Sequence, residues 1–215
     1  WPLFYGGLCD INSTVESYMA LKMAGLPVDR EEMVRARQAI FANGGIKKTR
    51  VFTKMFLAMF GQLSWDDCPA VPVEIILFPN WFPFNIYEIS GWSRGTVVPL
   101  SIVRSFEPVH KLPEGHDVQE LFTEKDQDLG FKPKGLPFTN WRDTFIYLDR
   151  FIKFVGKFPF KPLRKKALGK VEDWTLRHQE DEGDFAGIQP AMLNALLALH
   201  LLGYPKDHHA GVKGM

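Results

Sequence analysis

Only two cysteines, Cys9 and Cys68, occur in 215 residues, far apart and without the short paired spacing of a zinc site. That sets aside a disulfide framework and structural zinc, and it suits a reducing compartment. Charge of one sign is lacking too: 26 Lys plus Arg stand against 25 Asp plus Glu, a net of +1. With no whole-molecule field to attract it, nucleic acid is not an expected partner. No apolar run approaches the ~20 residues that cross a bilayer, and no basic-then-apolar leader opens the chain. A spanning helix is excluded on that count, whereas lying on a membrane surface is not. Phosphate-cradling loops, dinucleotide fingerprints and nucleophile elbows are also missing. His208 and His209 in "KDHHAG" are neighbours that point apart on regular structure, without a placed carboxylate, so neither a metal nor an organic cofactor is expected. Asp126 and Asp128 in "EKDQDLG" read as a solvated turn rather than a working carboxylate pair.

What is present is apolar and repetitive. Hydrophobic residues make up 46% of the chain, enough to build the core of one large domain over residues 1–215. "GGLCDINSTVESYMALKMAGLP", "GGIKKTRVFTKMFLAMFGQ" and "AGIQPAMLNALLALHLLGYP" share one plan: a small residue, Gly, Leu or Ile, a polar turn, an apolar helix and a Gly stop. Gly25, Gly61 and Gly203 sit where a left-handed C-terminal cap is wanted, and Pro27 and Pro205 follow where a helix cannot continue. "DREEMVRARQAIFANGG" reads as a mixed amphipathic helix with an acidic first turn. Mixed helices outside and greasy repeat helices fully buried inside make an all-α, α/α-barrel arrangement. Further helices are predicted over residues 91–105 and 161–178. "VPVEIILF", bounded by prolines, fits a short strand or a buried helical turn equally well. Residues 106–138, rich in Pro, Gly and charge, read as a long surface loop with one helical turn near residues 117–122.

Residues 140–166 have the most unusual composition, with eight Lys or Arg against two Asp. Trp141, Phe145, Leu148, Ile152 and Val155 fall on one helical face, which Ile146, Phe151, Phe154 and Phe158 widen. A wide aromatic face with a basic border is the pattern of a helix lying in the membrane interface. A core helix with a merely solvated basic flank has the same pattern, and both readings stand at this level.

Three polar residues are set among apolar helical ones: Glu16, Arg50 at the head of the second repeat helix, and Gln189 at the head of the third. Similar ends of repeat helices entering one barrel would converge on a common polar spot. A buried charge is tolerated when paired and hydrogen-bonded, so on pattern alone a structural salt bridge closing the barrel is favoured over a functional cluster.

Together with "PVEIILFPNWFPFNIYEISGWSRGTVVPLSIV" and "GDFAGIQPAMLNALLALHLLGYP", the first two repeat segments closely resemble the N-terminal half of bacterial squalene-hopene cyclases, within the wider triterpene cyclase family. The resemblance runs in order over essentially all 215 residues. "HQEDEGDFAG" resembles the family's Gln-to-Trp turn, with Gln179 present and Phe185 where Trp is usual, and Trp1 resembles the end of a preceding copy. The resemblance implies a two-barrel enzyme on the cytoplasmic face of the bacterial inner membrane, attached to one leaflet. Squalene or a similar polyprenoid would enter from the bilayer, be protonated by an Asp, and close its rings through carbocations in a dry, aromatic-lined cavity without a cofactor.

On that resemblance, Glu16, Arg50 and Gln189 match the network orienting the terminating water. Phe52, Phe56, Trp92, Ile188 and Pro190 match cavity lining, and Ile89 and Val97 match the narrowing of the substrate channel. Residues 139–158 match the membrane-inserted helix, its contacts being Trp141, Phe145, Leu148, Phe151, Ile152 and Val155. Phe56 stands where Trp is common, and Asn194 where some members carry Tyr. The protonating Asp-x-Asp-Asp motif does not occur in this sequence; in relatives it belongs to a second barrel, which would lie beyond Met215. The chain, opening on Trp1 without Met, is therefore expected to be the membrane-side part of a longer enzyme and inactive alone, with the C-terminal barrel as its partner and a homodimer as a further association. Two rivals remain: a non-catalytic α/α barrel binding an apolar lipid, and a prenyltransferase-like barrel, whose zinc ligands this sequence does not supply.

Overall fold

The computed structural model describes residues 1–82, 85–123, 132–156, 161–205 and 207–214. Asp126, Asp128 and Phe158 lie outside these residues. The described chain is all-helical, as an α/α-barrel fragment requires. Its single β-type pairing is an isolated antiparallel bridge between Pro2 and Cys9. It divides into two compact units: Trp1–Pro69 with Val109–Ile146, and Ala70–Pro108 with Tyr147–Met215.

In the first unit, α1 (Ile11–Met23) begins where the Asp10 side chain accepts the Ser13 amide at 2.8 Å, satisfying one of the open N–H groups of its first turn. It stops at Gly25, whose φ of +87° is strained for any residue with a Cβ. α2 (Glu31–Ala42) opens on Glu31 and Glu32 and buries Met33, Ala36 and Ile40. α3 (Val51–Met59) ends before Gly61 at φ +69°. Val15, Tyr18, Met33, Ile40, Ile46 and Leu57 form the core, each large aliphatic side chain contributing about 1.5–3 kcal/mol by leaving water.

Within the expected loop, residues 106–123 are less superficial than their composition suggests. The expected helical turn is there as a 3₁₀ turn, Gln119–Leu121, but Val118 and Leu121 are fully buried in the α1–α2 core. A polar staple holds this turn: Glu120 accepts from Lys22 at 2.7 and 2.9 Å and from the Tyr18 hydroxyl at 2.7 Å, and Arg37 donates to the Tyr18 oxygen at 3.0 Å. Burial pushes the Tyr18 phenol up to about 12. Burial also opposes the Glu120 carboxylate, yet the hydrogen bonds from Lys22 and Tyr18 outweigh it and hold its pKa below the ordinary value.

In the second unit, "VPVEIILF" forms a 3₁₀ helix, Val73–Leu77, rather than a strand. α4 (Gly91–Phe106) starts at Ser90, whose hydroxyl accepts the Ser93 amide. α5 (Trp141–Gly156) begins in the first unit and ends in the second, and α6 (Lys161–Arg177), α7 (Gln189–Leu201) and the short α8 (His209–Gly214) follow. Val73, Ile86, Val98, Ile102, Ala167, Val171 and Ala198 make one core cluster, and Phe185, Ala191, Ala195, Leu199 and Ala210 another. Gln179 acts as a tie: its amide donates to the Gly183 and Ala210 carbonyls, both at 2.8 Å, joining the turn after α6 to the start of α8.

The repeat helices are not fully buried, contrary to the pattern's promise. α7 hides its small residues, Ala191, Ala195 and Ala198, and leaves Leu193, Leu196 and Leu197 half-buried. Small residues allow close approach to α4, where a Cβ on Gly95 would stand 3.7 Å from the Ala191 Cβ of α7. The His208 and His209 rings do not point apart; their centroids are 4.4 Å from each other. Among the described residues no group of three or more His, Cys, Asp or Glu is placed to hold a metal ion, and no helix is long and apolar enough to cross a membrane.

Candidate functional site

Two of the three predicted polar residues meet in the first unit. Arg50 is the N-cap residue of α3, and its guanidinium lies 3.5 Å from Glu16 Oε1 on α1. Thr53, one turn into α3, donates its hydroxyl to the same carboxylate oxygen at 2.5 Å. Asn12, one turn before Glu16, accepts the Arg50 backbone amide at 2.7 Å and so caps α3 from a neighbouring helix. Asn12 and Thr53 were not singled out from sequence. The available signal was their helical spacing, four residues from Glu16 and three from Arg50, which puts each on its partner's face.

The Arg50 and Glu16 side chains are 53% and 30% exposed, so the pair is not a buried structural bridge. A loosely spaced, solvent-facing pair contributes at most about 1 kcal/mol to stability. Glu16 Oε2 takes no hydrogen bond among the described residues. The cluster can therefore accept a hydrogen bond from a water molecule next to a cation and a hydroxyl.

Gln189 belongs to the second unit. It is the first residue of α7, exposed, and its amide makes no hydrogen bond among the described residues. Its neighbours follow helix-start chemistry: Ile188 is the extended N-cap, half-buried, and Pro190 occupies the first turn, where its missing N–H costs nothing. Trp92 stands 71% exposed in the first turn of α4, with Ile89 exposed just before it and Val97 half-buried one turn on. Asn194 is buried and donates to the Thr96 carbonyl at 3.2 Å, joining α7 to α4. Phe52 is half-buried on α3, and Phe56, also half-buried, packs against the first unit's core.

α5 is turned inside out relative to an ordinary surface helix. Its protein-facing side carries Asp143 and Ile146, both buried, and the Asp149–Lys153 pair at 2.8 Å, with Asp149 also accepting the Ala70 amide at 2.6 Å. Trp141, Phe145, Leu148, Phe151, Phe154 and Val155 are all exposed, and Ile152 is half-buried. The expected apolar face exists, with Ile146 as the exception: it packs inward because it lies on the side of Asp143.

Comparison with known proteins settles the ancestry. The model of the family described as squalene-hopene cyclase N-terminal domain matches residues 1–215. The chain belongs to the squalene-hopene cyclase family. It is 40% identical over 215 residues to the squalene–hopene cyclase of Alicyclobacillus acidocaldarius, covering 100% of this chain and 33% of that protein. It is 38% identical over 208 residues to the squalene–hopene cyclase of Zymomonas mobilis, covering 97% and 31%. Against the dammaradiene synthase of Dryopteris crassirhizoma identity is 36% over 206 residues, covering 95% and 30%. The chain thus spans about a third of the length of these relatives.

Proposed function

We propose that this chain is the membrane-side part of a squalene-hopene-type cyclase, an isomerase that closes squalene into a pentacyclic hopanoid through carbocations. The reaction gains a proton at one end of the polyene and loses one, or adds water, at the other. Its protein requirements are a strong acid, a dry wall of aromatic faces, and a held water at the end point. This chain supplies the last two. In the first unit Glu16 and Arg50 are the residues for orienting the terminating water, with Phe52 and Phe56 as apolar lining; in the second unit Gln189 has the water-orienting role, Trp92, Ile188 and Pro190 are lining, and Ile89 and Val97 are the channel residues. The observation carrying the assignment is the Glu16–Thr53–Arg50 cluster: it is too exposed and loosely paired to be there for stability, and it keeps an open acceptor.

The exposed aromatic face of α5 supports attachment to one leaflet. An interfacial helix sinks its apolar side into the headgroup boundary while Lys and Arg reach to phosphates; the family resemblance supports placing it at the cytoplasmic face of the inner membrane. The half-buried leucines of α7 are large apolar side chains left over after docking, as a cavity wall needs. A homodimer would be a second way to cover such surfaces.

With no Asp-x-Asp-Asp motif in its sequence, the chain alone should not cyclise squalene. Mass spectrometry of products from squalene, with this chain alone and with the remaining two-thirds of a family member added, tests the proposal. Product only in the combined sample is expected, and Glu16→Gln should then change the ratio of alkene to alcohol product. Turnover by the chain alone would overturn the missing-acid reading. Squalene binding without product in either sample would favour a non-catalytic lipid-binding barrel.

A further inference from the structure

The nine residues before α5 are arranged against ordinary loop chemistry. A surface loop shows its carboxylates to water and hides its large apolar groups. Here the single carboxylate within residues 132–146, Asp143, has a side chain only 1% exposed. Leu136 at 72%, Phe138 at 87% and Trp141 at 77% stand out into solvent. All of these residues lie in the first unit.

Asp143 is the hub of the arrangement. Its carboxylate accepts the Lys134 and Gly135 amides at 3.1 and 2.9 Å, the Asn140 side-chain amide at 3.0 Å and the Arg142 guanidinium at 2.8 Å. Asn140 in turn accepts the Asp143 amide at 2.8 Å. The Thr144 hydroxyl accepts the Phe138 amide at 3.0 Å, and Arg142 also donates to the Lys132 carbonyl at 3.2 Å. Phe138 is held at φ +69°, a left-handed conformation that a Cβ disfavours. A conformation that is locally unfavourable yet tied at both flanks is a preset shape.

The charge around this tip names its counterpart. Every exposed charged residue in residues 132–146 is positive: Lys132, Lys134 and Arg142. A protein surface covering the tip would have to bring carboxylates and a shaped pocket. An anionic leaflet offers both an apolar interior for Leu136, Phe138 and Trp141 and phosphates for the Lys134 ammonium beside them.

We propose that residues 132–140 form a membrane-inserting wedge ahead of α5, shaped by Asp143, which adds anionic-headgroup selection to the anchor. The proposal rests on the membrane reading of α5 and enlarges it: the wedge, rather than the middle of the helix, sets lipid preference.

The test is co-sedimentation of the full chain with vesicles of phosphatidylcholine alone or mixed with phosphatidylglycerol. The Leu136→Ser/Phe138→Ser variant should partition roughly tenfold or more weakly, since two exposed side chains lose insertion but no native packing. Lys134→Gln should lower the preference for phosphatidylglycerol by about fivefold and leave binding to phosphatidylcholine unchanged. Asp143→Asn should weaken partitioning at unchanged circular dichroism, separating loss of wedge shape from loss of fold. A wild-type chain that binds neither vesicle overturns the membrane reading itself. If wild type binds while the Leu136/Phe138 variant binds equally well, or without preference for the anionic lipid, the wedge is overturned and the α5 anchor survives. Phe151→Ser/Phe154→Ser marks that difference by weakening partitioning in both vesicles alike.

Discussion

α5 and α7 are both rich in apolar residues and put them to opposite use. α7 turns its alanines inward and keeps Leu193, Leu196 and Leu197 half-buried, with Ala191 beside Gly95 of α4, so it docks through closeness. α5 buries Asp143 and Ile146, ties itself to the Ala70 amide through Asp149, and turns its aromatic side out. Apolar content alone therefore does not tell which side of a helix meets the protein. The position of the charged groups does, because a carboxylate with several backbone amides waiting for it gains more by facing inward than a Phe does.

The sharpest break of the comparison is Leu199→Ala on α7. Leu199 is 3% exposed in the second unit's core, and truncation should cost about 2–5 kcal/mol, read as a lower urea midpoint. Enlarging a small docking residue comes next: Ala195→Leu, at a fully buried position, should destabilise by about 1–3 kcal/mol through overpacking. Acid should then separate the two helices. Hydrogen bonds from Asn140 and the Lys134 and Gly135 amides hold the Asp143 carboxyl below its ordinary 3.8, so the unfolded chain takes up this proton first. The stabilisation is complete above that value and is lost as pH falls below it. α7, which carries no carboxylate, should keep its docking there, and NMR shifts followed from pH 5 downward (about one unit above the usual carboxylate range) would register the order. The smallest effect is expected for Phe151→Ser on α5, within about 0.5 kcal/mol of wild type in urea unfolding, since Phe151 is 62% exposed. A large loss there would mean that the aromatic face packs on protein after all.

The candidate site was legible to an uneven degree. Glu16 and Arg50 could be found because charges stand out in apolar helices, and the structure brings them within 3.5 Å. Asn12 and Thr53 could not, since a polar residue at a helix end has many ordinary uses and only the approach of α1 to α3 gives these two a common target. The turn at Gln119–Leu121 was visible as a turn, but the burial of Val118 and Leu121 was not. Pro, Gly and charge report local backbone preference, whereas burial depends on what the rest of the chain brings over the segment.

By itself the sequence determined where the helices stop and what kind of helices they are. A Gly at positive φ, a capping Asp or Ser and the apolar period are local properties, and Gly25, Gly61 and Gly203 all carry the left-handed φ their positions require. Only the tertiary structure decided which way α5 faces, which small residues of α7 touch α4, and that Asp143 lies inside while Phe138 lies outside. The first two are outcomes of competition among segments distant in sequence for contact surface, and the last comes from a hydrogen-bond set gathered within nine residues of Asp143 that no apolar period reports.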